Sequence, residues 1–255
     1  MNAPSIIAVI PVYNHERAVS AVAVALRGHG LPVVLVDDGS DESCRLALVA
    51  LARQVDARLV RLPVNGGKGA AVVAGLREAR RAGFTHVLQI DADGQHSLQD
   101  VPRFLGAAAR DPVAVICGRP VFDASIPRVR FLSRYITHFL VWLQTLSFRR
   151  VRDSMCGFRL YPVDQVLEVV DQDGVGKRMD FDIEVLVKLV WRGRVLQWID
   201  TRVCYPTDGV SHFRMLLDNL LLARMHVRLV FGMLWRAPVI IARRLVPAGD
   251  IPPPR

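Results

Sequence analysis

The chain has 255 residues, 51% hydrophobic and 22% charged, which is long enough for one large core and too apolar for general disorder. Its 33 basic and 24 acidic residues leave +9 at pH 7, and only Lys68, Lys177 and Lys188 of the basic set are lysines. The four cysteines (Cys44, Cys117, Cys156, Cys204) are far apart with no C-x-x-C pair, which points to neither a disulfide scaffold nor a zinc site and suits a reducing, cytoplasmic compartment.

In chain order, MNAPSIIAVIPVYNHE has no basic start and its apolar run stops at Pro11. It reads as a buried strand rather than a signal sequence. Runs at 5–13, 31–38, 57–62, 85–91 and 112–118 are short, Val/Ile-rich and bounded by Gly, Pro or Asp, and they predict strands. Between them, 16–27, 42–55, 68–82 and 97–110 space their apolar residues as helices do. Ser40 and Ser97 are N-cap candidates, and Gly83 is placed for a C-cap. The alternation predicts an α/β fold, a mostly parallel sheet flanked by helices.

Beyond 120 the pattern loosens. A helix is expected over 129–148, then DSMCGFRLYP at 153–162, a helix over 179–192 and strand-like sequence at 194–206. One or two basic amphipathic helices follow across 211–245. The expected organisation is a domain over 1–206, an amphipathic membrane-surface or interface segment over 207–246, and a disordered tail over 247–255. Arg134, His138, Arg224, Arg228 and Arg236 interrupt the most apolar stretches, so no spanning helix of roughly 18–20 uncharged residues is expected.

Positive charge concentrates in two places: 119–159 holds eight Arg against two Asp, and 201–255 eight Arg against three Asp. That distribution suggests a polyanionic partner such as phosphate or a membrane surface. The basic segments are aliphatic and contain no recognised binding module, which ranks nucleic acid low. On the segment 211–245, apolar residues on one face and arginines on the other would suit the headgroup region of an anionic membrane, or a helix pair packed on the sheet.

Ligands of such sheets bind at the carboxyl ends of the strands, and this chain places Tyr13-Asn14, Asp37-Asp38-Gly39-Ser40 and Asp91-Ala92-Asp93 there. No G-x-G-x-x-G or Walker A frame is present. Asp91 and Asp93, two residues apart and followed by Gly94-Gln95-His96, can converge on one hard divalent cation beside a diphosphate, with Gln95 as a further ligand. The same residues also suit an Asp-Gly turn. Asp38 can hydrogen-bond a base or ribose while Gly39 lets the backbone come close, or it can belong to an ordinary strand–turn–helix junction. Asn65-Gly66-Gly67-Lys68-Gly69 is a cationic loop opening a helix, suited to a base or phosphate.

Taken together, IPVYN, VDDGS, NGGKGAA, DADGQH and DSMCGFR, in this order and spacing over residues 5–213, resemble family 2 glycosyltransferases of the GT-A fold. Within that family they are similar to the polyprenyl-phosphate sugar synthases of the dolichyl-phosphate mannosyltransferase kind. The resemblance implies that Pro11, Tyr13 and Asp38 serve the nucleotide-sugar, which the cationic loop also suits through Lys68, and that Asp91, Asp93 and Gln95 hold Mg²⁺ or Mn²⁺ on its diphosphate. It places Arg119 and Arg134 where phosphates of donor and acceptor are gripped. It matches Asp153, Gly157 and Phe158 to an acceptor-side loop and Glu184 to an acidic position on the following helix. The chain departs at Gly209-Val210-Ser211-His212-Phe213, where relatives often carry lysine and His212 would bind phosphate instead.

The expected activity is therefore an inverting, metal-dependent transfer of sugar from a UDP- or GDP-linked donor to a lipid, polyprenyl phosphate first, at the inner face of the cell membrane in envelope biosynthesis. A hydroxylated or polyene-type lipid acceptor would instead require a base, with Asp153, Asp182 and Glu184 as candidates. A non-catalytic nucleotide-sugar-binding scaffold is the remaining alternative.

Overall fold

The computed structural model describes residues 3–122, 128–147, 150–204 and 215–245. Seven strands form one sheet in the order β3-β2-β1-β4-β6-β5-β7. They are β1 (Ile6–Val12), β2 (Val33–Asp37), β3 (Arg58–Arg61), β4 (His86–Gln89), β5 (Val115–Phe122), β6 (Arg159–Pro162) and β7 (Leu196–Val203). The first four are parallel, with β1 central between β2 and β4.

Both sheet faces are covered, which explains the near-continuous apolar runs. Along β1 and β2, Ile7, Val9, Val34 and Val36 belong to one core, while Ala8, Ile10, Val33 and Leu35 belong to the other. Helices α1 (Glu16–Gly28), α2 (Glu42–Gln54) and α4 (Val101–Arg110) cover the second face through Leu26, Leu48 and Phe104. Helices α3 (Lys68–Arg81), α6 (Val163–Asp173) and α7 (Phe181–Trp191) cover the first through Leu76, Leu167 and Leu186. Each of these large apolar side chains contributes about 1.5–3 kcal/mol by leaving water.

Three local expectations change. Asp41, not Ser40, caps α2 by accepting from the Cys44 amide (2.9 Å), and the Ser40 hydroxyl accepts the Asn14 amide (3.1 Å) instead. The helix expected from 97 begins at Val101, behind a 3₁₀ turn at Leu98–Asp100, and Ser97 makes no capping bond. Most consequentially, DSMCGFRLYP, to which the sequence pattern assigned no element, carries a strand at RLYP. β6 lies antiparallel between β4 and β5, pairing Gln89 with Arg159 and Cys117 with Arg159.

The described residues of the C-terminal segment form one helix, α8 (Met215–Leu245), with Pro238 inside it. Contrary to the sequence expectation, Leu216–Ala242 is long and apolar enough to cross a membrane by length and composition, with mean hydropathy 1.4 and 28% of the window buried. Its character is apolar rather than basic by composition, and two of its arginines form pairs with the domain. Arg228 pairs with Glu184 (2.7 Å), and Arg236 reaches Asp173 (3.6 Å) and the Trp191 ring (5.0 Å). Met225, Leu229, Met233 and Ile240 pack inward, leaving Leu216, Leu220, Phe231 and Trp235 exposed. Helix α5 (Arg128–Gln144) lies beside α8, joined by the Gln144 carboxamide to the His226 ring (3.0 Å) and carbonyl (3.1 Å). His212, the 209–213 motif and the tail 247–255 lie outside the described residues.

Candidate active site

The strand ends of β1, β2 and β4 converge as doubly wound sheets require. Asp38 leaves β2 buried, and its two carboxylate oxygens accept the amides of Gly66 and Gly67, each at 2.8 Å. Burial raises the Asp38 pKa despite these bonds and the nearby Arg178 charge. Gly39 adopts φ +68°, and a Cβ there would meet Asn65 N at 2.5 Å, so only glycine lets the 64–67 loop lie this close. Pro11, in register with Val36, and Tyr13 flank the same strand ends, both half-buried. Asp37 is used structurally: it accepts from Arg61 (2.5 Å) and the Ser40 amide (2.8 Å).

Lys68, the first residue of α3, turns its ammonium between Asp91 (2.6 Å) and Asp182 (2.8 Å). Burial opposes its charge, but the two carboxylates outweigh burial and hold Lys68 protonated, above the ordinary lysine range. Burial likewise works against ionised Asp91, and Lys68 with His96 (3.6 Å) outweighs it, holding that carboxyl well below the carboxylate range. Asp93 has the opposite balance. Burial and the Asp91 charge push its pKa up, and among the described residues it has no ion pair, only the Gln95 amide (3.1 Å).

That imbalance fits a cation. Two neighbouring carboxylates, one of them with no direct ion pair among the described residues, suit Mg²⁺ or Mn²⁺, with Gln95 beside them. No group of three His, Cys, Asp or Glu residues is arranged as a self-sufficient metal site among the described residues, so diphosphate oxygens would complete the coordination.

A cavity of about 90 Å³ opens on this pair, lined by Asp91, Asp93, Gln95, Arg134, Phe122 and Gly157 among others. Arg134 reaches it from α5, bound through Nε to Asp153 (2.8 Å), with its guanidinium 5.0 Å over the Phe122 ring. Asp153 also caps its own turn by accepting the Met155 (2.9 Å) and Cys156 (2.7 Å) amides. Gly157 is packed so closely that a Cβ would meet Asp91 Oδ2 at 2.5 Å and Lys68 Nζ at 2.6 Å.

Two expected site residues, Arg119 and Glu184, are engaged in ion pairs of their own. Arg119 is not in the cavity lining and forms a two-point pair with Asp200 (2.6 and 2.5 Å) across β5 and β7. Glu184 is 1% exposed and accepts from Lys188, Arg228 and the Gly176 amide, away from the cavity. The reason is helical geometry: Asp182 and Glu184 lie about 200° apart around α7, so when Asp182 faces Lys68 its neighbour faces α8.

Sequence reasoning missed Arg159. It is fully buried beneath Asp182, donating to the Asp182 carbonyl (2.6 Å), the Ser154 carbonyl (2.8 Å) and the Tyr161 hydroxyl (3.2 Å). An arginine between Phe158 and Leu160 was the available signal, because a charge within an apolar run is buried only when paired.

Residues 7–163 match the family model described as Glycosyl transferase family 2. The chain belongs to that family. This family 2 glycosyltransferase domain is 31% identical over 202 residues to human dolichyl-phosphate beta-glucosyltransferase, covering 70% of this chain and 60% of the human one. It is 28% identical to polyprenol monophosphomannose synthase of Mycolicibacterium smegmatis, covering 72% and 70% of the two chains. The chain spans about half (49%) of the length of the Dictyostelium discoideum dolichyl-phosphate beta-glucosyltransferase and 60% of the Drosophila melanogaster one. In structure it is similar to Mycobacterium tuberculosis glucosyl-3-phosphoglycerate synthase, crystallised with Mn²⁺, UDP and phosphoglyceric acid. That likeness has a TM-score of 0.66 at 18% identity and covers 90% of this chain and 78% of that one. It shows the shared fold of a family 2 glycosyltransferase, including the mostly parallel sheet flanked by helices.

Proposed function

We propose that this domain moves a sugar, with inversion, from a nucleoside diphosphate donor to the phosphate of a polyprenyl lipid at the inner surface of a membrane. The observation that carries this reading is the state of the carboxylates. A hydroxyl acceptor needs a base to take its proton, and each candidate is engaged. Asp153 is held by Arg134 and two amides, Asp182 by Lys68 and Gln89 (2.9 Å), and Glu184 by Lys188 and Arg228. A phosphate monoester is largely ionised at neutral pH, with a second pKa of about 6, and needs cations rather than a base. Arg134 supplies one in the same cavity as Asp91 and Asp93.

In this reading Pro11, Tyr13 and Asp38, with the loop 65–68, receive the nucleoside. Asp91, Asp93 and Gln95 would hold Mg²⁺ or Mn²⁺, which when bound neutralises charge on the leaving diphosphate. Lys68 adds a fixed positive charge beside Asp91. Arg134, oriented by Asp153 and Phe122, holds the acceptor phosphate. Its oxygen attacks the anomeric carbon, and the sugar–oxygen bond breaks with the electron pair leaving on the diphosphate. Arg119 serves the rim only by exchanging Asp200 for a phosphate, and His212 would join from the acceptor side.

The surroundings of Arg134 support a lipid. Its helix neighbours Tyr135, Ile136 and Phe139 are 57%, 61% and 58% exposed, and Trp235 on α8 is 86% exposed. An apolar face of this kind next to a phosphate-gripping arginine suits a bilayer interface. Replacing Phe231 and Trp235 together by Ser is expected to weaken sedimentation with anionic vesicles by at least about tenfold, since each ring buried contributes about 1.5–3 kcal/mol. Undiminished vesicle binding by the folded double variant would contradict the membrane reading.

The activity is tested by nucleoside diphosphate release from a panel of UDP- and GDP-sugars with Mn²⁺, with and without polyprenyl phosphate. Release that requires both metal and lipid is expected. Release unchanged by the lipid phosphate but raised by a hydroxylated lipid would replace the acceptor, and binding without any release would leave a non-catalytic scaffold.

A further inference from the structure

Glu184 takes no part in the cavity, yet three donors from three different segments meet on its carboxylate. Lys188 (2.9 Å) comes from its own helix, Arg228 (2.7 Å) from α8, and the Gly176 amide (2.8 Å) from the segment joining α6 to α7. Burial opposes the Glu184 charge, and these donors outweigh it, keeping the carboxyl below its ordinary range. Lys188 extends the grip by donating to the carbonyls of Asp173 (3.1 Å) and Gly174. The 174–178 strap is therefore pinned to α7 at its start and its middle.

The other side of the strap lies on the nucleotide loop. The Lys177 carbonyl accepts the Ala70 amide (3.0 Å), and Arg178 donates to the Asn65 side chain (3.3 Å). A Cβ on Gly67 would meet the Lys177 carbonyl at 2.6 Å, so the strap sets how far that loop can move. Gly66 and Gly67 in turn hold Asp38. An unbroken series of hydrogen bonds and close contacts thus runs from α8 through Arg228, Glu184, Gly176 and Lys177 to the loop 65–70.

We infer that Glu184 is a positioning residue that transmits the seating of α8 to the nucleotide loop, so that affinity for a nucleoside diphosphate depends on α8 being docked. The inference rests on reading that loop as part of the donor site. It assigns to the α7 acid a role in donor binding rather than in proton transfer, and it gives Arg228 a function apart from any lipid contact.

The test compares full-length wild type with Glu184→Gln, Arg228→Gln and Arg224→Gln. Arg224→Gln removes the same charge from an exposed position on the same helix. UDP and GDP affinity with Mn²⁺ is measured by calorimetry, and amide hydrogen exchange is followed at Gly176 and Ala70. Glu184→Gln and Arg228→Gln are expected to weaken nucleotide binding about 3- to 30-fold, the range of couplings carried through packed networks. They should also speed exchange at both amides, with Arg224→Gln matching wild type. Arg228 is half-exposed, so its variant keeps the test decisive where Glu184→Gln folds poorly. Wild-type nucleotide affinity in a folded Arg228→Gln overturns the inference. Wild-type protein that binds neither nucleotide overturns the donor-site reading itself, and unchanged exchange at Ala70 then separately overturns the mechanical link.

Discussion

Asp93→Ala is expected to lower sugar transfer by at least about 10²–10³-fold, the scale on which single preorganised electrostatic groups act, without lowering the melting temperature. The reasoning joins stability to chemistry. Burial and the Asp91 charge raise the Asp93 pKa, which means that the ionised carboxylate is disfavoured in the folded protein relative to the unfolded chain. Removing it relieves that repulsion, so the metal-free variant should melt at the wild-type temperature or above. Mn²⁺ with UDP should raise the wild-type melting temperature by mass action and leave the variant unmoved. Asp91→Ala should lose activity similarly, with a different stability signature. Lys68 keeps Asp182 as a partner (2.8 Å), so one arm of its ion pairing survives. Normal turnover in either variant, or a Mn²⁺-induced shift retained in both, would remove these residues from the metal role.

Gly157→Ala should be almost as damaging, although it adds one methyl group. The new Cβ would lie 2.5 and 2.8 Å from the two oxygens of Asp91 and 2.6 Å from Lys68 Nζ. Those atoms are held by each other and by Asp182, so the methyl can be accommodated only by moving the Asp91–Lys68 pair. A displacement of about 1 Å at a reacting centre costs on the order of 10²-fold in rate, while overpacking costs about 1–3 kcal/mol of stability. Gly106→Ala is the matched control. It lies within α4, where among the described residues, the helix's own backbone aside, a Cβ would meet within 4 Å only Arg110 Nη1, at 3.5 Å, and helix propensity favours alanine by about 1 kcal/mol. Measured kcat and melting curves should separate the two. Gly157→Ala with wild-type kcat would show that the close packing around Asp91 is not needed for turnover.

Both predictions depend on contacts that differ in how readily they were read. The nucleotide side was legible because parallel strands buried on both faces have continuous apolar runs that end abruptly in polar residues. Asp38 after β2 and the Asp91–Asp93 pair after β4 were marked by that transition, and the loop at Asn65–Gly69 by its glycines. Arg134 was legible only through the resemblance, since an arginine in a helical stretch has no local signature of its own. The acid on α7 was ambiguous for a related reason. FDIE offers two carboxylates about 200° apart, and the apolar pattern around them is buried on all sides, so nothing local says which one faces the site.

The sequence by itself determined the α/β class, the strand ends that carry the acids, and the helix-opening lysine loop, because each is written in the periodicity of a contiguous segment. Tertiary structure alone decided what those groups touch. β6 enters antiparallel between β4 and β5, and that insertion brings Gly157 against Asp91. Gln89 and Asp182, 93 residues apart, meet only because α7 lies across the same sheet face. Two arginines of α8, Arg228 and Arg236, read from sequence as part of an outer basic face, pair with Glu184 and Asp173 of the domain, while Arg224 stays exposed. Local pattern specifies which face of an element is apolar, but the partner of a buried charge is set by which distant segments the whole sheet and its covering helices bring within bonding distance.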